Sequence, residues 1–162
     1  MTQRRSIPRT IIIRASGFRF ALVASRFHEP ITRKLLRGAQ NCLRKHGVRR
    51  ADVAVVLCPG AFELPQVANV LVASAQWDAV ICLGAVIRGE TPHFEYVAGE
   101  AARGIQQVAL QSRTPVIFGV LTTDTEQQAY DRAGGKSGNK GWDAALAAIE
   151  MAAIFKKLKS RQ

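Results

Sequence analysis

Gly84–Glu100 reads GAVIRGETPHFEYVAGE. An apolar strand leads into it, a short loop carries Arg88, Gly89, Glu90, Thr91 and His93, and a helical pattern follows. A glycine-containing loop between the carboxyl end of a parallel strand and the start of a helix is where open α/β sheets bind ligands. The free N–H groups and the dipole of the helix start favour an anion there, most often a phosphate. His93 stands beside that point. It is the one side chain of the stretch that can both give and take a proton near neutral pH. The loop therefore reads as the active site, with the rest of the chain as its walls.

Working outward, the chain alternates. Phe20–Ser25 (FALVAS), Val53–Leu57, Ala79–Leu83 and Pro115–Val120 are apolar runs of strand length, nearly unbroken as a sheet covered on both faces requires. After the first strand, Ile31, Leu35, Ala39, Leu43 and His46 recur at helical spacing, and Gly47 is the stop. Gly60–Pro65 (GAFELP) turns into a second helix ending near Ser74, and a third runs from the opening stretch to near Leu110. Asp124 is placed to cap a helix over Thr125–Ala133. Gly134–Gly141 (GGKSGNKG) reads as a flexible hinge, and an Ala-rich helix covers Trp142–Leu158 before a basic tail. This order predicts a three-layer α/β/α sandwich around a four-stranded parallel sheet, flavodoxin-like. Right-handed crossovers bring four loops to one rim: Arg26–Pro30, Pro59–Pro65, Ala85–His93 and Phe118–Asp124.

The 162 residues, 48% apolar and 22% charged, suit one soluble domain. No run reaches the length of a membrane span, and Ile11–Ile13 is too short for a signal-peptide core. A cytoplasmic protein is expected. Residues 1–17 read as a basic arm and 18–162 as the domain; Ile11–Ile13 is β-prone and suited to pairing with a sheet edge, including a neighbouring subunit's. Cys42, Cys58 and Cys82 are odd in number, far apart and set in apolar segments, so buried free thiols are expected and a metal site is not. The first 50 residues hold thirteen Lys/Arg against one acid, Glu29, and the remainder ten against eleven, giving the net charge of +11. No nucleic-acid motif interleaves aromatics with these charges. A solvated helix face plus a basic arm is the plainer reading, attraction of an anionic substrate fits as well, and nucleic acid is not expected as a partner.

Each loop offers a different group. Phe27 and Phe118 are aromatics suited to stacking on a flat heterocycle, although either alone would as readily be core. Glu63 beside backbone amides suits a polyhydroxyl chain, or simply complements a helix start. Thr91 and the amides around it, with an arginine, suit a phosphate. His93 suits proton shuttling. Arg132 and Lys140 are two cations with no acid obviously assigned to them.

Five segments in order resemble lumazine synthases: PGAFELP (Pro59–Pro65), LGAVIRGETPHFEYV (Leu83–Val97), PVIFGVLTTDT (Pro115–Thr125), QAYDRAG (Gln128–Gly134) and GNKGWDAALAAIEMA (Gly138–Ala152). The resemblance runs from near Phe20 to near Ile154. It implies condensation of 5-amino-6-(D-ribitylamino)uracil with L-3,4-dihydroxy-2-butanone 4-phosphate to 6,7-dimethyl-8-ribityllumazine, the penultimate step of riboflavin biosynthesis, with no metal and no organic cofactor. It implies that Phe27 stacks on the pyrimidine. Ala61, Phe62, Glu63, Ala85, Val86 and Ile87 would hold the ring and the ribityl chain. Glu90, Thr91 and Arg132 would bind the phosphate, and His93 would donate the proton. Phe118 would face the ring from an adjacent subunit, because the sites of the family lie between neighbours in a homopentamer. Lys140 and His28 are further candidates; many members carry Asn where this chain has His28. Pentamers of the family occur alone, as decamers or as 60-subunit shells, and the GGKSGNKG stretch resembles the shell-forming members. Riboflavin synthase, which consumes the product, is an implied partner. The rival readings are a flavin-binding storage protein or a shell protein of the same fold, without turnover.

Overall fold

The computed structural model describes residues 14–160. β1 (Phe20–Ser25) is buried along its whole length. His28 then turns the chain into α1 (Glu29–Lys45), which ends just before Gly47, whose φ of 90° is a left-handed turn that glycine adopts freely. β2 (Val53–Cys58) is followed by a short 3₁₀ turn, Ala61–Glu63, and by α2 (Leu64–Ala73). β3 (Ala79–Ile87) leads to α3 (His93–Gln111), and β4 (Val116–Thr123) to α4 (Glu126–Arg132). A small hairpin of β5 (Ala133–Gly135) and β6 (Gly138–Asn139) precedes α5 (Lys140–Lys159).

The sheet order is β2-β1-β3-β4 with every pair parallel. β1 and β3 are the inner strands, so both of their faces must be covered. Phe20, Leu22, Ile81 and Leu83 pack with Ile31 and Leu35 of α1 and with Ala145 and Ile149 of α5. Val23, Val80 and Cys82 pack with Leu64 and Ala68 of α2 and Ile105 of α3 on the opposite face. The alternation in each strand thus splits one apolar run between two cores. The expected three layers and four parallel strands are present. β2 is an edge strand, with Val55 and Leu57 exposed.

The boundaries differ from the sequence reading in instructive places. β3 does not stop at Leu83 but runs to Ile87, and β4 passes Val120 to Thr123, because the two stay paired as far as Ile87 opposite Thr123. Ala85, Val86 and Ile87 are therefore strand rather than loop. Asp124 does not cap α4. Thr125 does: its hydroxyl accepts from Gln128 N–H, while the Gln128 side chain accepts from Thr125 N–H.

The predicted hinge is a built corner. Gly134 and Gly138, with φ of 109° and 79°, turn the hairpin. Asn139 then caps α5, its Oδ1 accepting from Gly141 N–H (2.9 Å) and Trp142 N–H (3.2 Å), while its Nδ2 donates to the Lys34 carbonyl (3.1 Å). A Cβ on Gly141 would lie 2.0 Å from the Leu35 carbonyl oxygen. The two helices touch there backbone to backbone.

All three cysteines are free and buried. Burial pushes the Cys82 thiol up to about 12 and the Cys42 thiol up to about 11, and raises Cys58 as well. They are packing residues, as expected. Ala15 is buried, with its N–H bonded to the His46 carbonyl; the Ile11–Ile13 strand and the last two residues of the basic tail lie outside the described residues. No described helix is long and apolar enough to cross a membrane, and among the described residues no group of three or more His, Cys, Asp or Glu could hold a metal ion.

Gly141→Ala has only backbone to push against, so it should destabilise the fold by about 1–3 kcal/mol or more. Gly99 is an exposed position of α3 where an added Cβ would meet nothing within 4 Å. It should behave oppositely, Gly99→Ala adding about 0.5–1 kcal/mol. Chemical-denaturation midpoints of the two variants check both signs.

Candidate active site

Two backbone bonds continue the β1–β2 ladder past the strands: Arg26 N–H to the Cys58 carbonyl (2.8 Å) and Phe27 N–H to the Pro59 carbonyl (3.0 Å). They place Phe27 beside the turn Gly60–Glu63. His28, at φ 58°, reverses the chain at that point, and its carbonyl accepts from the N–H groups of Ile31 and Thr32 to start α1. Between these loops and the start of α3 opens a cleft of about 540 Å³. Ala85, Val86 and Ile87, the last residues of β3, belong to its lining.

The cleft joins groups that are far apart in sequence. Phe27 is 68% exposed although it is a large apolar ring, and Phe62 is 53% exposed; both line the opening. Such rings at a cleft mouth are available for stacking on a planar ligand. Glu63 also lines the cleft, its carboxylate folded back toward Gly60, and among the described residues no cation pairs with it. Thr91 and His93 close the far side, with His93 the first residue of α3. Aromatic, carboxylate, hydroxyl and imidazole thus meet in one place. The His28 ring stands edge-on to Phe27, centroids 4.6 Å apart, and is also part of the lining. Burial holds the His28 imidazole below its ordinary value, with Glu126 pulling the other way.

Phe118, Arg132 and Lys140 are not in this cleft. They gather at a second depression, of about 660 Å³, between β4 and the α4–β6 corner. The expectation that all four loops meet at one spot therefore holds for three of them. The fourth loop, with the residues after it, lines this separate depression. Its two acids are already engaged. Asp124 accepts from Arg88 Nε at 2.8 Å, and Asp131 pairs with Lys136 at 3.2 Å. Among the described residues neither Arg132 nor Lys140 has an ion pair, so this depression carries uncompensated positive charge suited to an anion. Glu90 is exposed in the loop and lines neither cavity.

Sequence reasoning missed Phe94, Tyr96 and Val97 as lining residues. For Tyr96 and Val97 the spacing of three and four from His93 on a helix was the available signal; Phe94, the next residue after His93, carried none. It also left Arg88 as a loop cation. Arg88 instead bonds Asp124 and Glu95, and its guanidinium carbon lies 4.3 Å from the Phe94 ring centroid. The hydrogen bond from Arg88 holds the Glu95 carboxyl below its ordinary value.

A family profile described as 6,7-dimethyl-8-ribityllumazine synthase matches residues 17–156. A curated 6,7-dimethyl-8-ribityllumazine synthase of Clostridium kluyveri is 52% identical over 147 residues, which cover 91% of this chain and 96% of that protein.

The depressed His28 basicity has a pH signature. In the unfolded chain a histidine binds its proton near 6.5, whereas folded His28 binds it only at lower pH. Below about 6.5 the unfolded state holds more protons, so stability falls as pH drops through that window. His28→Asn removes this contribution and places at φ 58° a residue that tolerates the left-handed region. Its denaturation midpoint should fall less than the wild type's between about pH 7 and pH 5; parallel profiles would count against a partly buried His28 whose proton affinity is lowered by folding.

Proposed function

Since this chain belongs to the 6,7-dimethyl-8-ribityllumazine synthase family, we propose how its residues divide the labour of that reaction. The family activity is a transferase step of riboflavin biosynthesis: condensation of 5-amino-6-(D-ribitylamino)uracil with L-3,4-dihydroxy-2-butanone 4-phosphate, releasing phosphate and water.

The single observation that carries the assignment is the cleft that collects Phe27, Glu63, Thr91 and His93 on one rim. In this reading Phe27 stacks on the pyrimidine. Ala61, Phe62, Ala85, Val86 and Ile87 wall the ring, and Glu63 accepts hydrogen bonds from the ribityl hydroxyls. Thr91 and the loop around Glu90 receive the phosphate ester, with Arg132 as its cation and Lys140 beside it. The amine attacks the ketone to give a carbinolamine and then an imine; phosphate leaves, the ring closes, and water is lost. Every step moves a proton, and His93, which lines the cleft, is the group that would carry it. Holding two substrates together supplies much of the rate, and an acid–base group adds about 10²–10⁴-fold.

Arg132 and Phe118 lie at a different depression from His93 on the same chain. A site that needs both must borrow one set from a neighbour, which supports active sites shared between subunits of a homopentamer. Decamers or a 60-subunit shell are built from the same ring, and riboflavin synthase is the partner that would take the product. Residues 1–17 would be an arm preceding the catalytic domain 18–162, anchored to it where Ala15 is buried and bonded to the His46 carbonyl. Buried, unpaired thiols fit a cytoplasmic setting.

His93→Ala should lose about 10²–10⁴-fold in turnover while still binding the aminouracil, and Arg132→Ala should raise the KM for the phosphate substrate. Co-expression of the two variants tests the sharing. A mixed ring contains sites that take His93 from one chain and Arg132 from the next, so at phosphate-substrate concentrations well below the raised KM about a quarter of wild-type activity should return. No recovery would place both residues in one chain's site and sink the shared arrangement. Light scattering that gives only a five-subunit mass would remove the shell.

A further inference from the structure

Arg88 sits between the cleft and the second depression. Its N–H bonds the Thr123 carbonyl at 2.9 Å, extending the β3–β4 ladder by one step. Its Nε donates to Asp124 Oδ1 at 2.8 Å, its Nη1 donates to Glu95 Oε1, and its guanidinium carbon is 4.3 Å from the Phe94 ring centroid. Glu95 and Phe94 belong to the first turn of α3, directly after His93. Asp124 belongs to the lining of the second depression. One planar group thus joins the turn that begins with His93 to the loop that leads into α4.

The loop between these anchors has little else to hold it. Residues 88–93 are exposed, a Cβ on Gly89 would meet nothing, and among the described residues Gly89, Glu90 and Thr91 make no hydrogen bond to another element. Exposed ion pairs contribute little to stability, so the arrangement does not explain itself as a stabilising device. Its charge is also spent: two carboxylates face one guanidinium, which leaves none of that charge over for a phosphate ester.

We propose that Arg88 is a positioning residue, a fork that fixes Thr91 and His93 relative to the β4–α4 loop through Glu95, Phe94 and Asp124. The inference rests on the function proposed above. A misplacement of about 1 Å can cost about 100-fold in rate, which is the scale expected for loss of the fork.

Three variants of the full-length protein, assayed with both substrates, test it. Arg88→Met should lower kcat by about 100-fold and leave the KM for the aminouracil within about twofold, with a thermal midpoint near that of the wild type. Glu95→Gln with Asp124→Asn, which keeps the arginine and removes only its partners, should reproduce the loss of kcat. Arg88→Lys should stay impaired by about 10-fold or more, because an ammonium cannot span two carboxylates as a planar fork does. Wild-type kcat in the double variant would show that Arg88 acts by its charge, and would overturn the proposal. So would wild-type kcat in Arg88→Met, or full rescue by Arg88→Lys. A wild-type protein that forms no product from the two substrates would overturn the functional reading and this inference with it, whereas an active wild type with an unaffected double variant removes the fork alone.

Discussion

Burial of β1 and β3 on both faces is the constraint from which the rest follows. Two strands that no water can reach need helices above and below, and parallel strands can be linked only by crossovers that return over the sheet. Helices α1 and α5 cover one side with Ile31, Leu35, Ala145 and Ile149; α2 and α3 cover the other with Leu64, Ala68 and Ile105. Every strand then ends at the same rim. The chain leaves β1 and β3 toward opposite sheet edges, and the crevice between those departures is where Phe27 and His93 come to line one cleft.

Much of this was legible in the residues. FALVAS announces an inner strand because nothing polar interrupts it before Ser25. The ends of β3 and β4 were less legible: Gly84 interrupts the first apolar run and looks like punctuation, and the second run reads as ending at Val120 although it already holds Gly119, but neither glycine is a break. In the structure they are close-packing positions: a Cβ at Gly84 would press on Leu64 and Ser25 at 3.1 Å, and one at Gly119 on Leu83 at 2.7 Å. The corner Gly134–Gly141 looked flexible because its composition is that of a linker. Its order comes from Asn139 reaching Lys34, 105 positions away, and no local pattern encodes such a bond.

The site shows the same division. Phe27, Glu63, Thr91 and His93 could each be picked out by chemistry, since each ends a strand or starts a helix on the rim. The separation of Phe118, Arg132 and Lys140 from them could not be read from residue chemistry, although the family resemblance implied it for Phe118, because it depends on which side of the edge strand β4 the later corner folds against. Arg88 was visible as a cation but not as a bonded one, since Asp124 lies 36 positions on. Family membership supplies the reaction. The geometry supplies two separate depressions on one chain, which the proposed sharing between subunits would bring together.

The hidden thiols have a practical consequence. The chain's three cysteines are all buried and free, and burial keeps them protonated, the form that alkylating reagents attack slowly. A cysteine placed on an exposed helix face would then be the fastest-reacting position for a maleimide dye or a spin label. Spacings between the copies of the proposed ring would then be measurable by fluorescence transfer or electron resonance without first stripping out the native sulfur.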